Sequence, residues 1–483
     1  MSDPLRDGAF GRMGLIDDQA RVAINGLLAR VAASDLETIR VLFADQHGVL
    51  RGKTIVAAAL PSAFTSGIAV PSTLLLKDTS HRTAFPVWSD EPGLLSGAMR
   101  GVGDVLLLPD PESFRILPWS PHSAWLFCDV IYRDGTPIPF SPRTILRNAV
   151  ARLAEAGMAA TIGLEVEFHV FERVDPALGH GQTTMPGQPP QTRALAQGYQ
   201  YLTETRYNEV EPLLDDLRRT AQALELPVRS IEVEMGPSQF EFTFDPDTPM
   251  MHAQNLIMFR TMVKEVCAAR GLHASFMAKP RLPNVSANGW HIHQSLSDIA
   301  TGKALFIPQE AGELTPQADG WIAGLLSHAA ASSMLIAPTV NSYKRYLPYQ
   351  LAPLKIQWGR DNRGAMIRAL MTPNDAASRI ENRAPDTTAN PYLALAAQVI
   401  AGLEGIQSGR KSPEPTLTPY DNDATALPTS LGAAIEAFDG SDMFRAALGD
   451  ETVDYLVTLK RFEWERYLAS ISEWEQAEYF NLF

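Results

Sequence analysis

The stretch GLEVEF, residues 163 to 168, places two glutamates at alternate positions among apolar residues. Side chains of a β-strand point to opposite faces in turn, so Glu165 and Glu167 share one face while Leu164, Val166 and Phe168 share the other. The stretch therefore predicts a strand with an apolar face against the core and a second face that carries two carboxylates.

The same alternation recurs in three later segments: QFEFTF (residues 239 to 244), WHIHQS (290 to 295) and RIENR (379 to 383). Their polar positions are almost all Glu, His or Arg, namely Glu241, His291, His293, Arg379, Glu381 and Arg383. A single strand with this alternation commonly has its polar side chains on the solvated face of an amphipathic sheet. Such a face usually also carries Ser, Thr and Lys, which are few here. Together the strands predict one concave polar surface.

This surface is expected to bind cations. Glu234, seven residues before Glu241 across the turn MGPSQF, can join it. Carboxylates and imidazoles that gather on one surface repel one another and lose hydration unless cations neutralise them. Oxygen ligands with an occasional imidazole favour Mg²⁺ or Mn²⁺ over zinc.

A cluster of arginines supplies the opposite charge, at Arg345, Arg360, Arg363, Arg368, Arg379 and Arg383. Guanidinium groups bind phosphates and carboxylates through paired hydrogen bonds. Divalent cations with such a cluster indicate phosphoryl transfer from a nucleotide, whereas a hydrolase with two catalytic carboxylates would not need the arginines. Since neither GxxxxGK[ST] nor a kinase-type glycine loop is present, the nucleotide must be held in another way.

The composition argues against nucleic-acid binding. The chain has 483 residues, with 41 basic against 55 acidic ones and a net charge of −14, which repels phosphate backbones and anionic lipids. This outweighs the cations and tyrosines of NSYKRYLPYQLAP (341 to 353). Cys128 and Cys267 have no CxxC spacing, so neither disulfides nor zinc are expected. No membrane span or signal peptide is predicted, and the expected location is the cytoplasm.

Changes of hydrophobic period divide the chain. Helical spacing covers residues 20 to 33, a β-hairpin is predicted in 37 to 55, and short strands are predicted in 104 to 110 and 123 to 130. The turn-rich junction RDGTPIPFSPR (133 to 143) is the expected domain boundary. Beyond it we predict a helix over 144 to 156, a mobile loop over 176 to 198 and one long terminal helix over about 450 to 475.

Seven segments, in this order and spacing, resemble the glutamine synthetase family and its γ-glutamyl-amine ligase relatives: GLEVEF, EMGPSQFE, FMAKP, NGWHIHQSL, NSYKRYLP, NRGAMIR and RIENRAPDTTANPYLALAA. The resemblance covers nearly the whole chain and implies an α+β fold. Its expected parts are an N-terminal helical segment (1 to 35), a small β-grasp domain (36 to 132) and a catalytic domain (138 to 483) whose curved antiparallel sheet forms a funnel surrounded by helices. It also implies a homo-oligomer, a dodecamer of two hexameric rings with sites between subunits.

The resemblance assigns roles by motif. Glu167, Glu234 and Glu241 correspond to ligands of one divalent cation, and Glu165, His291 and Glu381 to ligands of a second, so two or more Mg²⁺ or Mn²⁺ ions are expected per site. His293, Ser295, Arg363, Arg368 and Arg379 correspond to residues that hold the co-substrate ATP. Arg345 and Arg383 correspond to residues that hold glutamate, and Arg345 and Arg363 are the expected catalytic residues.

The implied reaction forms γ-glutamyl phosphate, from which an amine displaces phosphate. Arg360 lies outside the matched motif and is expected at the surface. Lys279 in FMAKP is equally compatible with a structural role and with a nucleotide contact.

The chain departs from ammonia-using members of the family at the ammonium site. The flap after Arg345 carries Leu351 at an acidic position, and SGIAVPSTLL (66 to 75) has no Asp or Glu where the neighbouring subunit supplies another. Leucine removes the attraction for ammonium and the base that would activate it, and an apolar wall favours an uncharged organic group. Aromatic amines are neutral and carry a flat apolar body. We therefore predict an aniline-type acceptor that contacts Leu351, with γ-glutamylanilide as the product.

Three alternatives stay open. A γ-glutamyl-polyamine or monoamine ligase would need a carboxylate from another segment beside Leu351, and glutamine synthetase proper would use ammonia. A catalytically silent paralogue with a regulatory role belongs to a different class of protein. The retained metal-ligand residues oppose it, because a silent site has no reason to keep charges that repel without cations.

Overall fold

The computed structural model describes residues 3 to 88, 97 to 175 and 177 to 483. Residues 1, 2 and 89 to 96 of the predicted N-terminal parts, and Pro176 of the predicted loop, lie outside the described residues. Within the described ranges the fold is α+β, with a small N-terminal sheet and a larger sheet accompanied by helices. The domain limits at residues 35, 132 and 138 remain predictions.

The N-terminal part contains the predicted hairpin. Its helices are α1 (Pro4–Asp7), α2 (Ala9–Arg12), α3 (Asp18–Ala32) and α4 (Leu60–Ser66). Its strands are β1 (Thr38–Ala44), β2 (Leu50–Val56), β3 (Ile68–Pro71), β4 (Asp104–Pro109), β5 (Arg115–Leu117) and β6 (Ser120–Ile131), in the order β2-β1-β6-β4-β3 with β5 beside β6. The antiparallel β1–β2 pair buries Ile39, Val41 and Phe43, which confirms the alternating pattern.

The larger sheet carries the motifs singled out in the sequence. Its strands are β7 (Met158–Arg173), β8 (Thr192–Ala194), β9 (Val228–Val233), β10 (Gln239–Asp247), β11 (Leu272–Ser275), β12 (Trp290–Asp298), β13 (Trp358–Arg360), β14 (Ile367–Leu370) and β15 (Arg379–Asn382). The order is β13-β14-β15-β12-β7-β10-β9, with β8 and β11 also paired to β7. All pairs are antiparallel except β13 with β14.

Helices accompany this sheet: α5 (Pro142–Glu155), α6 (Glu204–Ala223), α7 (Pro249–Ala269), α8 (Pro316–Ser327), α9 (Ala329–Ile336), α10 (Pro391–Gln407), α11 (Leu431–Asp439), α12 (Asp442–Leu448), α13 (Asp450–Leu468) and α14 (Glu473–Tyr479). Among the described residues, no helix combines the length and apolarity needed to cross a membrane.

An aromatic layer under the sheet orients the polar face. Phe168 of β7 and Phe242 of β10 are both fully buried and pack on Phe259 of α7, with ring centroids 5.7 and 5.1 Å away. Burying a phenylalanine side chain contributes roughly 1.5–3 kcal/mol. Because side chains alternate along a strand, this burial directs Glu167 and Glu241 to the opposite face.

Two predicted elements differ in the structure. The prediction of a single terminal helix is wrong: α13 ends at Leu468, and a second helix, α14, follows after the N-cap residue Ser472, which forms a capping box with Glu475. The predicted loop over 176 to 198 contains the short strand β8, whose Ala194 pairs with Phe171 of β7.

Candidate active site

The antiparallel register brings predicted site residues face to face across neighbouring strands. The directly opposed pairs are Glu241 with Glu167, His291 with Glu165, His293 with Glu381, and Arg368 with Glu381. Directly opposed residues of an antiparallel pair have Cβ atoms about 4.5–5.5 Å apart. Side chains from β7, β10, β12, β14 and β15 therefore meet on one face of the sheet, on regular strands rather than on loops.

Two imidazoles hold Glu165. His291 Nδ1 lies 3.0 Å from Glu165 Oε2, and His293 Nε2 lies 2.8 Å from Oε1. Burial opposes ionisation of Glu165, but the hydrogen bonds from His291 and His293 outweigh it and lower its pKa. Burial and the charge of Arg383 lower the pKa of His291. The site thus combines a carboxylate whose ionised form is favoured with an imidazole whose protonation is disfavoured by burial, and both are suitable ligands for a divalent cation.

A second group consists of carboxylates alone. Glu167, Glu234 and Glu241 bring ligand oxygens within 4.8 Å of one another. Burial, followed by the charge of Glu234, raises the pKa of Glu167 to about 8. Burial and the neighbouring glutamates raise the pKa of Glu241 well above its ordinary range. Glu241 Oε1 is buried with no hydrogen-bond partner among the described residues, so this group fits a divalent cation with oxygen ligands.

Two further groups converge on Glu165, one with Glu241 and His291 and the other with His293 and Glu381, again with ligand atoms within 4.8 Å. The predicted set of Glu165, His291 and Glu381 is divided between them, and His291 Nδ1 lies 3.7 Å from Glu381 Oε1. His293, which is predicted to contact ATP, lies within this second group beside Glu165 and Glu381. The ligand sets remain predictions, and this geometry offers overlapping cation positions around Glu165.

Gln239, which the sequence analysis did not single out, connects three segments of the site. It is buried, and its Nε2 donates to Glu167 Oε2 at 3.0 Å and to Ala287 O at 2.9 Å, while its Oε1 accepts from Gly236 N at 2.9 Å. Gly289 N donates to the same Glu167 oxygen at 2.8 Å. The amide therefore joins β7, the turn between β9 and β10, and the approach to β12.

Two guanidinium groups hold the fully buried Glu381. Arg368 Nη1 donates to Glu381 Oε2 at 3.0 Å, and Arg383 Nη1 donates to Oε1. Burial opposes ionisation of Glu381, but the charges of His291 and Arg383 outweigh it and lower its pKa. Arg383 Nε also donates to Arg363 O at 3.0 Å. Glu381 is thus fixed between strands β14 and β15 and the segment before β14.

Arg345 is buried beside the carboxylate groups described above. Its Nη1 donates to Ala384 O at 2.9 Å and lies 3.8 Å from Asp386 Oδ2, while its Nε has no hydrogen-bond partner among the described residues. A Cβ atom on Gly289 would stand 3.6 Å from Arg345 Nη2, next to the segment that supports Glu167. A buried guanidinium with spare donors can receive a carboxylate.

The other predicted contacts occupy different surroundings. Arg379 Nε lies 3.0 Å from His293 Nδ1, Ser295 follows His293 on the same face of β12, and the Arg363 side chain is exposed. Arg360 is exposed and lies 5.2 Å over the ring of Trp358. Lys279 Nζ lies 3.4 Å from Lys344 O, a contact with the segment that leads to Arg345.

The flap after Arg345 presents apolar side chains to solvent. Leu347, Tyr349 and Leu351 are 44%, 77% and 54% exposed. Tyr349 and Leu351 have φ angles of 60° and 58°, in the left-handed region that costs an L-residue about 1–2 kcal/mol. Strained backbone of this kind occurs preferentially at sites of function.

Two polar side chains at the edge of the site face were missed by the sequence analysis. Glu232 of β9 lies opposite Glu241, so Glu167, Glu241 and Glu232 form a row across three strands. Its spacing to Glu234 in IEVE repeats the pattern of GLEVEF and could have revealed it. Tyr201 precedes α6, and burial with the charges of Glu234 and Glu232 raises its pKa. A loop places Tyr201 there, so periodicity carries no signal for it.

Known proteins are similar to this chain in sequence and in fold. Residues 139 to 479 match the family model described as the catalytic domain of glutamine synthetase. A γ-glutamylanilide synthase from an Acinetobacter species is 37% identical over 96% of this chain and 97% of its own length. A γ-glutamylethanolamide synthetase from Streptomyces coelicolor is 33% identical over 94% of this chain and 95% of its own. The solved ADP complex of GmaS has a TM-score of 0.79 at 28% identity and covers 94% of this chain and 99% of its own.

Proposed function

Because the chain belongs to the glutamine synthetase family of ATP-dependent carbon–nitrogen ligases, we propose that it joins the γ-carboxyl group of glutamate to an aromatic amine of the aniline type. The product is a γ-glutamylanilide. The observation that carries this choice of acceptor is Leu351, an exposed apolar residue on the flap at the position where ammonia-using members are expected to have a carboxylate.

The chemistry of this flap suits a neutral aromatic acceptor. Leu351 supplies neither a counter-charge for ammonium nor a base, and the SGIAVPSTLL segment contains no acidic residue. Aniline needs no counter-charge, and its ring gains free energy from contact with apolar surface. The relative named γ-glutamylanilide synthase, at 37% identity, supports the same acceptor class.

Members of the family use ATP and divalent cations. We assign Glu167, Glu234 and Glu241 to one cation, and Glu165, His291 and Glu381 to a second, with Mg²⁺ or Mn²⁺ in both. Glu241 Oε1, which has no hydrogen-bond partner in the described part of the chain, supports the first assignment. When bound, the cations would neutralise the phosphates of ATP and favour attack on the terminal phosphorus.

The arginines hold the two substrates in this proposal. Arg345 and Arg383 bind glutamate, while His293, Ser295, Arg363, Arg368 and Arg379 contact ATP. A γ-carboxylate oxygen of glutamate attacks the terminal phosphorus, ADP leaves, and γ-glutamyl phosphate forms. The amine nitrogen then attacks the carbonyl carbon of the γ-glutamyl phosphate, the C–O bond breaks with its electron pair on phosphate, and the nitrogen loses a proton. Phosphate thereby replaces an oxygen that could not itself leave.

A second candidate acceptor is a charged alkylamine, and Glu232 favours it. This carboxylate is not assigned to either cation and lies at the edge of the site face beside Glu241. A protonated amine would find its counter-charge there. The Streptomyces relative named γ-glutamylethanolamide synthetase carries an alkylamine of this kind in its name.

The assembly and the cellular location extend the proposal. The resemblance supports a homo-oligomer, a dodecamer of two hexameric rings with sites shared between subunits. The two cysteines, Cys128 and Cys267, are buried and unpaired, which supports the predicted cytoplasmic location.

A direct assay tests the acceptor. Purified protein is incubated with ATP, Mg²⁺ and glutamate, together with ammonium, ethylamine, ethanolamine, putrescine or aniline in separate reactions. Phosphate release gives the rate, and mass spectrometry identifies the product. We expect aniline to give the highest kcat/KM and a γ-glutamylanilide as product.

Equal or faster turnover with ammonium or putrescine would overturn the aromatic acceptor, and preference for ethanolamine or ethylamine would favour the second candidate. Absence of phosphate release with every amine would contradict the ligase activity itself and favour the silent paralogue.

A further inference from the structure

We propose that Tyr349 and Tyr420, together with Leu351, form the surface that receives the aromatic ring of the acceptor amine and selects it over alkylamines. This inference rests on the proposed function, because it names residues that determine the acceptor of that ligase.

The two tyrosines meet across separate segments of the chain. Their ring centroids are 4.9 Å apart and their planes are inclined by 44°. Tyr349, on the flap, is 77% exposed, so most of its ring area is available for contact with another molecule. Aromatic rings pair favourably at centroid distances of about 4.5–7 Å in tilted or offset arrangements, and a substrate ring can join such a pair.

The segment that carries Tyr420 is fixed to the catalytic domain. Gln357 Nε2 donates to Pro419 O at 2.7 Å. Asn422 Nδ2 donates to Gln357 Oε1 at 2.7 Å and to Thr418 O at 2.8 Å. Tyr420 therefore offers a held ring, against which the ring of Tyr349 on the flap is placed.

Tyr420 lies next to the predicted glutamate site. A Cβ atom on Gly364 would stand 3.1 Å from Tyr420 Cε2, and the preceding residue, Arg363, accepts a hydrogen bond from Arg383 Nε at 3.0 Å. Burial raises the pKa of Tyr420, and the contact with the Leu351 backbone and the nearby charge of Arg383 partly oppose this. The Tyr420 ring is therefore close to the guanidinium that is expected to hold glutamate.

The Tyr420 hydroxyl is buried beside the backbone of Leu351 on the flap. This contact lowers the pKa of Tyr420 but lacks good hydrogen-bond geometry, so the oxygen has no well-formed hydrogen bond among the described residues. A buried polar atom left in this state costs free energy, which a ligand with a hydrogen-bonding group relieves. The amino group of an aromatic amine, carried on the ring that contacts Tyr349, provides such a group.

The flap backbone agrees with a role in contact with substrate. Tyr349 and Leu351 both have positive φ angles, at 60° and 58°, and their side chains remain exposed despite being apolar. Exposed apolar side chains on strained backbone are costly unless a ligand or partner covers them. The Tyr349 and Tyr420 rings favour an aromatic acceptor as the ligand that covers these side chains.

The test compares the wild type with Tyr349→Leu and Tyr420→Leu, with aniline and ethylamine as acceptors. We expect each variant to raise the KM for aniline about threefold to tenfold, the size of a lost ring-ring contact. The KM values for ethylamine, glutamate and ATP should change less than twofold. Leu417→Ala is the matched control, because Leu417 lies on the same segment as Tyr420 and is 87% exposed.

The outcomes separate this inference from the proposed function. If the wild type uses aniline but neither variant changes its KM, the ring surface is wrong while the ligase assignment stands. If the wild type rejects every aromatic amine, the proposed acceptor is wrong and the ring surface falls with it. Equal losses for aniline and ethylamine would reduce the tyrosines to a general role in flap structure and would also overturn the inference.

Discussion

Glu167 and Glu241 stand directly opposite each other on antiparallel strands β7 and β10, with a third carboxylate, Glu234, within ligand distance of both. Burial raises the pKa of Glu167 to about 8 and that of Glu241 well above its ordinary range. The cation-free cluster therefore retains protons near neutral pH. Its cation affinity and its stability both depend on those protons.

Binding of Mg²⁺ should release protons and strengthen as pH rises through about 8, because the carboxylates must ionise to act as ligands. Calorimetry at pH 7 in two buffers with different ionisation enthalpies measures the number released. Glu241→Gln should reduce both the release and the affinity. Equal apparent enthalpies in the two buffers would contradict the raised pKa of Glu167.

The same pKa shift sets how stability depends on pH without cations. Between the ordinary pKa of 4.5 and the folded value of about 8, the folded protein holds more protons at Glu167 than the unfolded chain. The free energy of unfolding therefore falls as pH rises through this window. Thermal melts with a chelator should show a lower Tm at pH 8 than at pH 6, and added Mg²⁺ should remove most of this difference. A Tm that is higher at pH 8 than at pH 6 in the presence of the chelator would contradict the raised pKa of Glu167.

Glu381→Ala should lower kcat for amide formation with every amine by at least about a hundredfold to a thousandfold, which leaves essentially no activity. It removes a predicted cation ligand and the shared partner of Arg368 and Arg383. Breaking a buried pair also costs about 3–5 kcal/mol, so Glu381→Gln and a thermal melt are needed to separate lost catalysis from lost folding. Glu414→Ala, at an exposed position, is the control. Full activity in a folded Glu381→Gln variant would show that the cation assignment is wrong.

Leu351→Glu should lower kcat/KM for aniline about tenfold and raise turnover of ammonium or ethylamine. The new carboxylate offers a counter-charge and a base to protonated amines, while it replaces apolar contact area. Competition between aniline and ethylamine, with both products quantified by mass, gives the selectivity directly. Unchanged selectivity would remove Leu351 from the account of acceptor choice.

Gln239→Leu should weaken Mg²⁺ binding about 10-fold to 100-fold, the usual effect of losing a group that orients a metal ligand. The change frees one Glu167 oxygen from its amide donor and leaves the backbone donor of Gly289. Titration of Mg²⁺ in the absence of substrates measures this without relying on turnover. Gln191→Leu, an exposed position, serves as the control. If both variants bind Mg²⁺ like the wild type, Gln239 has no positioning role.

The strand periodicity allowed the polar face to be predicted from local sequence. GLEVEF and QFEFTF each contain apolar residues that must be buried, and this fixes the direction of their glutamates. Their pairing could not be predicted in the same way, because the register of β7 against β10 depends on residues about seventy positions apart. Loop-borne Tyr201 has no periodic signal, and the break after Leu468 depends on one cap, Ser472, inside an otherwise helical pattern.

The position of Leu351 has a consequence for how this enzyme can change. Every proposed cation ligand except Glu234 lies on a regular strand of a packed sheet, whereas Tyr349 and Leu351 are exposed and lie on a flap outside that sheet. Under the proposed function, we expect substitutions at these exposed positions to alter the acceptor at little cost in folding and to leave the activation of glutamate unchanged. Diversification of the amine, in nature or by directed evolution, should begin between residues 347 and 351 and leave the strands intact.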